Sequence, residues 1–279
     1  MTRFDLHLHS INSDGSDSVK ELVEKVANSG INVFALTDHD TVEGCTEIDK
    51  YLTKNIKCIK GVELTCKLKN IKCHILGYGI DIYNKSLTDL IKYGKELRRK
   101  KLETRINYLK EVWGIDLTND ELNWLYSRKS VVKTHIANIL VSRGLSDNNV
   151  DAMKKYLDGC KSGDTRFDGI EAIKVLKDAG GIPVWAHPLG GEGEEHISEK
   201  EFLIQLKTMQ EGGIEGLECY YSRYNKDEEE MLVKYAEMNG LLISAGSDYH
   251  GLNKTVKLGC LSSEGIYPDI NKITLLKNL

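Results

Sequence analysis

The sequence predicts an α/β fold in which parallel strands alternate with helices, closed into a barrel or spread as an open sheet. Three observations predict it. Short apolar, β-branched runs alternate with segments of helical period in both outer parts of the chain. The alternation stops from 85 to 161, where helical periodicity stands almost alone. Almost every strand run ends in, or leads into, histidine, aspartate or glutamate, as it would where strand ends share one mouth.

TRFDLHLH reads as a first strand over 3–8. Ser18 with Glu21 three residues on is a capping box, so a helix runs to about Asn28, with Gly30 near its end. INVFALT is a strand over 31–37, and TVEGCTEIDKYL a helix over 41–52. Strands over 57–64 and 71–77 follow, joined by the short polar link KLKN. Then LTDLIKYGKELRRKKLETRINYLKEV forms one long amphipathic helix with an interruption near Gly94, followed by helices around 119–126, 133–143 and 148–158. Residues 85–161 are therefore a helical insertion in a body made of 1–84 and 162–279. Alternation resumes with strands over 182–187, 215–221 and 241–246, separated by the helices SEKEFLIQLKTMQEG and DEEEMLVKYAEMN. Repeated βα units imply parallel strands with right-handed crossovers.

The chain has 279 residues, 41% hydrophobic and 29% charged, enough for one large domain or two smaller ones. No apolar run reaches the ~18 residues of a membrane helix, and MTRFDLHLHS carries no apolar signal core. The 7 cysteines include no C-x-x-C pair, so they read as reduced thiols of a cytoplasmic protein rather than zinc ligands. The net charge of -4 is uneven: residues 85–161 hold 16 Lys/Arg against 10 Asp/Glu. A basic middle in an acidic body suits an anionic ligand, although helical surfaces are often lysine-rich.

His7 and His9 end the first strand, with Asp14 beyond; Asp38-His39-Asp40 follow the second; Glu63 ends the third; the fourth carries His74. His187 ends the fifth strand, and Asp248 and His250 follow the seventh. Residues two apart on a strand share a face, so His7 and His9 point one way. A lone histidine is usually a surface or satisfied core residue, and His135 and His196 alone would read so. Histidines at five strands, each beside an acid, are harder to explain that way. The nine N/O ligands His7, His9, Asp14, His39, Glu63, His74, His187, Asp248 and His250 exceed the three protein ligands of one catalytic zinc. They suit three divalent cations sharing Glu63, and imidazole with carboxylate favours Zn, Mn or Fe.

DLHLHSINSDG, ALTDHDTVEG, GVELTC, CHILGYG, WAHP and SAGSDYHG resemble, in order and spacing, the motifs of the polymerase and histidinol phosphatase (PHP) family of metallo-phosphoesterases. The resemblance implies a distorted seven-stranded (β/α)7 barrel, TIM-like and related to the amidohydrolases, with a trinuclear centre. One cation would take His7, His9, Glu63 and Asp248; a second Glu63, His74 and His187; a third Asp14, His39 and His250. The helical insertion resembles that of the branch hydrolysing 3′,5′-nucleotide bisphosphates and short RNA. Lys133-Thr134-His135 looks like its element for the phosphate that is not cleaved, with lysine where arginine is more usual. Tyr221-Ser-Arg223-Tyr224 stands where the branch has a Tyr-Ser-x-His element, so Tyr224 is a departure. Arg105 is a further candidate phosphate ligand, or a solvated residue of the RRKK helix.

The chemistry this implies is attack on phosphorus by a cation-activated water, with Glu63, Asp248 and His250 as the catalytic residues and His250 or a second water as general acid. The expected substrate is a phosphorylated small nucleotide or short oligonucleotide, with no membrane and no obligate protein partner. The alternative is histidinol-phosphate phosphatase or another small-molecule phosphomonoesterase, against which the basic insertion and KTHIA argue. A metal-binding module supporting a polymerase, and amide or lactone hydrolysis, fit less well. The chain leaves no room for a polymerase, and it lacks the ligand spacing of amide hydrolases.

Overall fold

The structure is a computed structural model and describes residues 3–279. Seven strands lie in one path: β1 (Arg3–Leu8), β2 (Ile31–Leu36), β3 (Lys57–Leu68), β4 (Ile71–Tyr78), β6 (Ile182–Trp185), β7 (Gly216–Tyr221) and β8 (Leu242–Gly246). A two-residue strand that sequence reading missed, β5 (Phe167–Asp168), pairs with β3 off this path. The sheet is mixed, which corrects the all-parallel expectation. β4 runs antiparallel to both β3 and β6, while the other neighbours in the path are parallel.

The cause is the length of the link. β3 runs five residues beyond Glu63, so only Lys69 and Asn70 separate it from β4. Two residues can make a hairpin, whereas a parallel return needs a crossover of a dozen or more. Lys69 takes the left-handed conformation that this turn requires, at φ 53°. Glu63 and His74 therefore lie within their strands rather than at the ends. Because β4 runs backwards, His74 still faces the mouth formed by the other strands.

β1 and β8 form no ladder among the described residues. They meet through one parallel bridge, Leu8 to Tyr249, and through the His9 and Asp248 amides, each donating to a backbone carbonyl of the other segment at 3.0 Å. Gly246 permits this approach: a Cβ there would stand 2.1 Å from that of His7. Beneath, the buried Asp5 carboxylate accepts from the amides of Ser247 and Gly259.

Helix α1 (Val19–Asn28) has the expected Ser18–Glu21 capping box. The helix expected over 41–52 is shorter, α2 (Glu43–Glu47) followed by one 3₁₀ turn. α3 (Lys85–Trp113) is continuous through Gly94, contrary to the expected interruption. That glycine is there for packing, since a Cβ would meet the Phe167 ring at 2.3 Å. α4 (Asn119–Ser127), α5 (Lys133–Ser142) and α6 (Asn149–Tyr156) gather with the outer part of α3 around their own apolar cluster, including Leu102, Leu109, Leu125, Ile136 and Leu140. The first turns of α3, at Leu87, Leu90 and Ile91, pack instead into the main core around the sheet. α7 (Gly169–Asp178), α8 (Glu199–Glu211) and α9 (Lys226–Met238) complete the layer over β6, β7 and β8. No helix among the described residues is long and apolar enough to cross a membrane.

Gly94 sets two effects against each other. Helix propensity alone favours Gly94→Ala by ~1 kcal/mol. The Phe167 contact opposes it, and overpacking costs about 1–3 kcal/mol. Chemical denaturation of Gly94→Ala should therefore show a net loss of stability; a gain would mean that Phe167 does not press on α3.

Candidate metal centre

The site is built by segments that continue strand pairing past the strand ends. After β2, His39 bridges Glu63 of β3, with the Asp40 amide donating to the Glu63 carbonyl at 2.9 Å. After β6, the Ala186 amide donates to the His74 carbonyl, which sets His187 beside His74. Asp40, His187 and Asp248 all have positive φ (50°, 28° and 61°), a strained conformation for residues with side chains. Three of the four such residues flank this one site, as expected where side-chain aim outweighs backbone comfort.

Glu63 is fully buried at the centre. Its Oε2 lies 3.2 Å from Nε2 of both His7 and His9 and 3.1 Å from Nδ1 of His39. Its Oε1 lies 3.0 Å from His74 Nδ1 and 3.2 Å from His187 Nε2. Asp248 Oδ1 stands 3.4 Å from His9 Nε2 and 3.6 Å from His7 Nε2. Asp14 Oδ1 stands 3.1 Å from His250 Nε2 and 4.0 Å from His39 Nε2.

The structure thus brings together all nine residues that the sequence singled out. Their donor atoms fall into overlapping groups: His7, His9, Glu63 and Asp248; His9, Asp14, His39 and His250; His39, Glu63 and His74; and His74, His187 and Glu194. The first matches a predicted set. The others differ from the predicted sets by drawing in His9, His39 and Glu194. Tight ring packing explains the overlap, with His9 and His250 stacked at 3.9 Å between centroids.

Several side chains that sequence reading missed hold these groups. Glu218 Oε1 accepts from His7 Nδ1 at 2.9 Å, and its Oε2 accepts from the His187 amide at 2.8 Å. Glu194 lies 3.3 Å from His187 Nδ1, and His250 Nδ1 donates to the Asp248 carbonyl at 2.8 Å. In each of these rings Nδ1 is occupied and Nε2 is left facing the centre. Lys254 Nζ and the Tyr221 hydroxyl both donate to Asp248 Oδ2, leaving Oδ1 for the centre. Asp38 accepts from the Ser10 amide and from the hydroxyls of Ser10 and Ser13, which shapes the loop that carries Asp14. Glu218 had a signal: the one carboxylate inside the strand GLECYY. Lys254 had none, because it lies in a loop after the last strand.

The donor chemistry passes a direct test of fit. His7 Nε2, His9 Nε2, His39 Nδ1, His250 Nε2, Asp14 Oδ1 and Glu63 Oε2 are buried without a hydrogen-bond partner. Buried polar atoms are rarely left so, and these six converge. Burial works against the Glu63 charge, but His39, His7 and His74 outweigh it and hold the carboxyl well below its usual range. Asp248 is held low likewise, by Lys254, His250 and His7 against burial. Burial pulls His9 and His187 down, but Asp248 and Glu63 raise His9 to about 9, and Glu194 and Glu63 raise His187 to about 10. Burial, with His9 and Lys254 next, lowers His250.

Beside Asp14, His39 and His74 opens a cavity of about 210 Å³ walled by Arg98, Lys101, Arg105, Lys133, Thr134 and Arg166. Of the residues predicted to contact substrate, Lys133, Thr134 and Arg105 line it. His135 does not: its Nδ1 accepts from the Val132 amide, and burial pushes it down to about 4. Tyr221 is engaged by Asp248. Arg223 lies outside the cavity, half-exposed near Glu192. Tyr224, the departure noted above, is buried and accepts from the Leu189 amide at 2.7 Å, tying down the loop that follows His187. Burial, with Arg105 and Arg166, lowers Lys101 to about 8.

The PHP domain family matches residues 5–264. The chain belongs to the PHP family. It is 33% identical over 261 residues to a 5′-3′ exoribonuclease of Haemophilus influenzae, covering 92% of this chain and 93% of that one. It is 28% identical to a 3′,5′-nucleoside bisphosphate phosphatase of Chromobacterium violaceum, covering 90% and 88%. Among solved structures, an amidohydrolase from Chromobacterium violaceum superposes with a TM-score of 0.80 at 26% identity, covering 97% of this chain and 100% of that one. This PHP protein is therefore a metal-dependent phosphoesterase, a hydrolase of phosphoester bonds.

Two outcomes follow from the geometry. Glu218→Gln keeps the shape but removes the charge behind His7, and should weaken divalent-cation binding about 10–100-fold; unchanged affinity in a competition titration would dismiss that role. A histidine must also shed its proton to present a lone pair. With His9 near 9 and His187 near 10, the metal-free chain keeps both protons at neutral pH. Cation uptake at pH 7 should thus release protons, and affinity should rise as pH rises toward 9. Calorimetry in buffers of different ionisation heat measures this, and equal heats in all buffers would contradict it.

Proposed function

We propose that this PHP enzyme hydrolyses the phosphate ester of a nucleotide carrying a second phosphate, such as a 3′,5′-bisphosphonucleotide, or of a 5′-phosphorylated short RNA. The observation that carries this reading is the cationic cavity directly beside Asp14, His39 and His74. One phosphate at the histidine cluster leaves a second within reach of Lys133, Arg105 and Lys101. The curated relatives, by name an exoribonuclease and a bisphosphate phosphatase, fit the same chemistry.

In this reading three divalent cations, of Mn, Zn or Fe, are held by the nine N/O residues. His7, His9, Glu63 and Asp248 hold one; Glu63, His74 and His187 another; Asp14, His39 and His250 the third. Bound cations would acidify water and offset charge on the phosphoryl oxygens. The chain's own residues do the rest. Glu218 and Glu194 fix the tautomers of His7 and His187, so that each offers Nε2. Lys254 and Tyr221 hold Asp248 by one oxygen. Lys133 and Arg105 orient the retained phosphate, which places the ester bond by proximity. Burial keeps His250 neutral, and with Nδ1–H donating to the Asp248 carbonyl its Nε2 offers a lone pair to the centre, so the proton for the leaving oxygen would come from a second water. We also read the sheet as a distorted barrel, because the bridge from Leu8 to Tyr249 brings its first and last strands together. Residues 85–161 are its substrate-covering insertion. The free cysteines suit a reducing cytoplasm.

Turnover should be strongest for a 3′,5′-bisphosphonucleotide, read as phosphate release, or a 5′-phosphorylated short RNA, read as mononucleotide release, and weak for AMP and histidinol phosphate. Lys133→Ala should raise KM for doubly phosphorylated substrates about tenfold, the weight of one lost charged hydrogen bond, with little change in kcat. His39→Ala should abolish turnover of all. Equal loss on every substrate in Lys133→Ala, or purified protein with no transition metal, would overturn the proposal.

A further inference from the structure

A second cavity, of about 220 Å³, lies on the neighbouring face of α3. Lys92, Lys95, Arg98, Arg99, Arg128 and Lys129 line it, with Glu96 the one acid in its wall. Lys95 is paired with Glu43 and Arg98 with Asp40. Lys92, Arg99, Arg128 and Lys129 have no carboxylate partner among the described residues, and Arg128 Nε is buried with no hydrogen-bond partner. So many uncompensated cations in one concavity are self-repulsive, in a chain whose net charge is -4. Such an arrangement is stable when anions enter it.

The two cavities are adjacent. Arg98 and Val131 stand in the walls of both. On α3, residues 98, 101 and 105 face the first cavity and 92, 95 and 99 the second. The basic stripe from Lys92 to Arg105 spans thirteen helical steps, ~20 Å at 1.5 Å each. That is longer than one nucleotide needs. A planar surface is present too: the Arg99 guanidinium lies 4.9 Å from the centroid of the partly exposed Tyr126 ring. Arginine planes and aromatic rings are what unpaired bases stack on.

We propose that the second cavity takes further phosphates of a single-stranded oligonucleotide whose reacting end occupies the first. This rests on the function proposed above and extends it from one retained phosphate to a chain of them. Neither Arg99 nor Lys129 touches the histidine cluster or the first cavity, so the two sites can be separated experimentally.

The test uses metal-loaded protein and 3′-labelled, phosphorothioate-protected oligoribonucleotides from dinucleotide to octanucleotide, with binding read by anisotropy and 3′,5′-bisphosphonucleotide turnover read in parallel. Affinity should climb with length by about tenfold and fall steeply with salt. Arg99→Glu with Lys129→Glu should remove the gain with length and flatten the salt slope by about 0.7 per lost phosphate contact. Turnover of the bisphosphate should not change. The milder Arg99→Gln and Lys129→Gln serve if charge reversal impairs folding, and the wild-type salt slope needs no variant. Length-independent binding, equal competition by polyglutamate, or parallel loss of bisphosphate turnover would overturn this inference. Normal length-dependent binding without turnover of any substrate would overturn the proposed function and leave the cavity's affinity standing.

Discussion

The rest of the structure answers to one buried carboxylate. Glu63 has no access to water, yet five imidazole nitrogens stand within 3.2 Å of its two oxygens. A charge so placed is tolerable only with partners on every side. Five rings can surround one carboxylate only if separate chain segments each deliver one or two. β1 supplies His7 and His9, the segment after β2 supplies His39, β4 supplies His74 and the turn after β6 supplies His187. The strained φ of His187 is a consequence of that convergence. So is Gly246, whose missing side chain lets β8 bring Asp248 against β1.

Much of this was legible because metal-type chemistry leaves its residues at predictable places. All nine candidate donors were readable from polar residues in or just after apolar strand runs, since such runs have little other reason to carry histidine. The direction of the fourth strand departs from expectation, because alternation elsewhere in the chain points to parallel strands while the short link after β3 reverses the chain. The polar link KLKN places Glu63 at a strand end in the sequence reading. Lys67 and Leu68 instead belong to β3, and only Lys69 and Asn70 make the turn. β5 was not legible at all: two residues carry no period, and their pairing with β3 depends on where α3 and its partners return the chain. Glu218 and Lys254 were missed for different reasons. Glu218 was passed over as one acid in an apolar strand, whereas nothing local distinguishes Lys254 from any loop lysine.

The helices from 85 onward are bound to the centre by more than a covalent connection. Arg98 of α3 pairs with Asp40, whose other oxygen accepts from the Thr65 amide beside the His39–Glu63 bridge. Arg128, at the end of α4, donates to the Ile11 carbonyl in the loop that carries Asp14. The same helical layer therefore supplies the cations of the first cavity and braces two of the segments that present the histidines. A shift of α3 would move the cations of the first cavity and His39 together, which in the proposed function would preserve the distance between the two phosphates of a substrate.

That bracing also explains how an acidic protein can keep so many unpaired cations in one place. Burial is the larger cost, and like charges a few ångströms apart add to it. The effect is visible in Lys101, lowered to about 8 by burial first and by Arg105 and Arg166 next, and in Arg98, lowered to about 10 by burial even though Asp40 pairs with it. A mobile element would relieve the strain by swinging lysines and arginines into solvent. α3 cannot, because Leu87, Leu90 and Ile91 fix one end in the main core, Gly94 locks against Phe167, and Leu102 and Leu109 are held in the second cluster. The apolar packing of one helix thus sustains an electrostatic arrangement that is unfavourable until an anion arrives. In the proposed function, binding energy for phosphate would be stored in the fold before the ligand is present, as preorganised charge rather than as charge gathered on encounter.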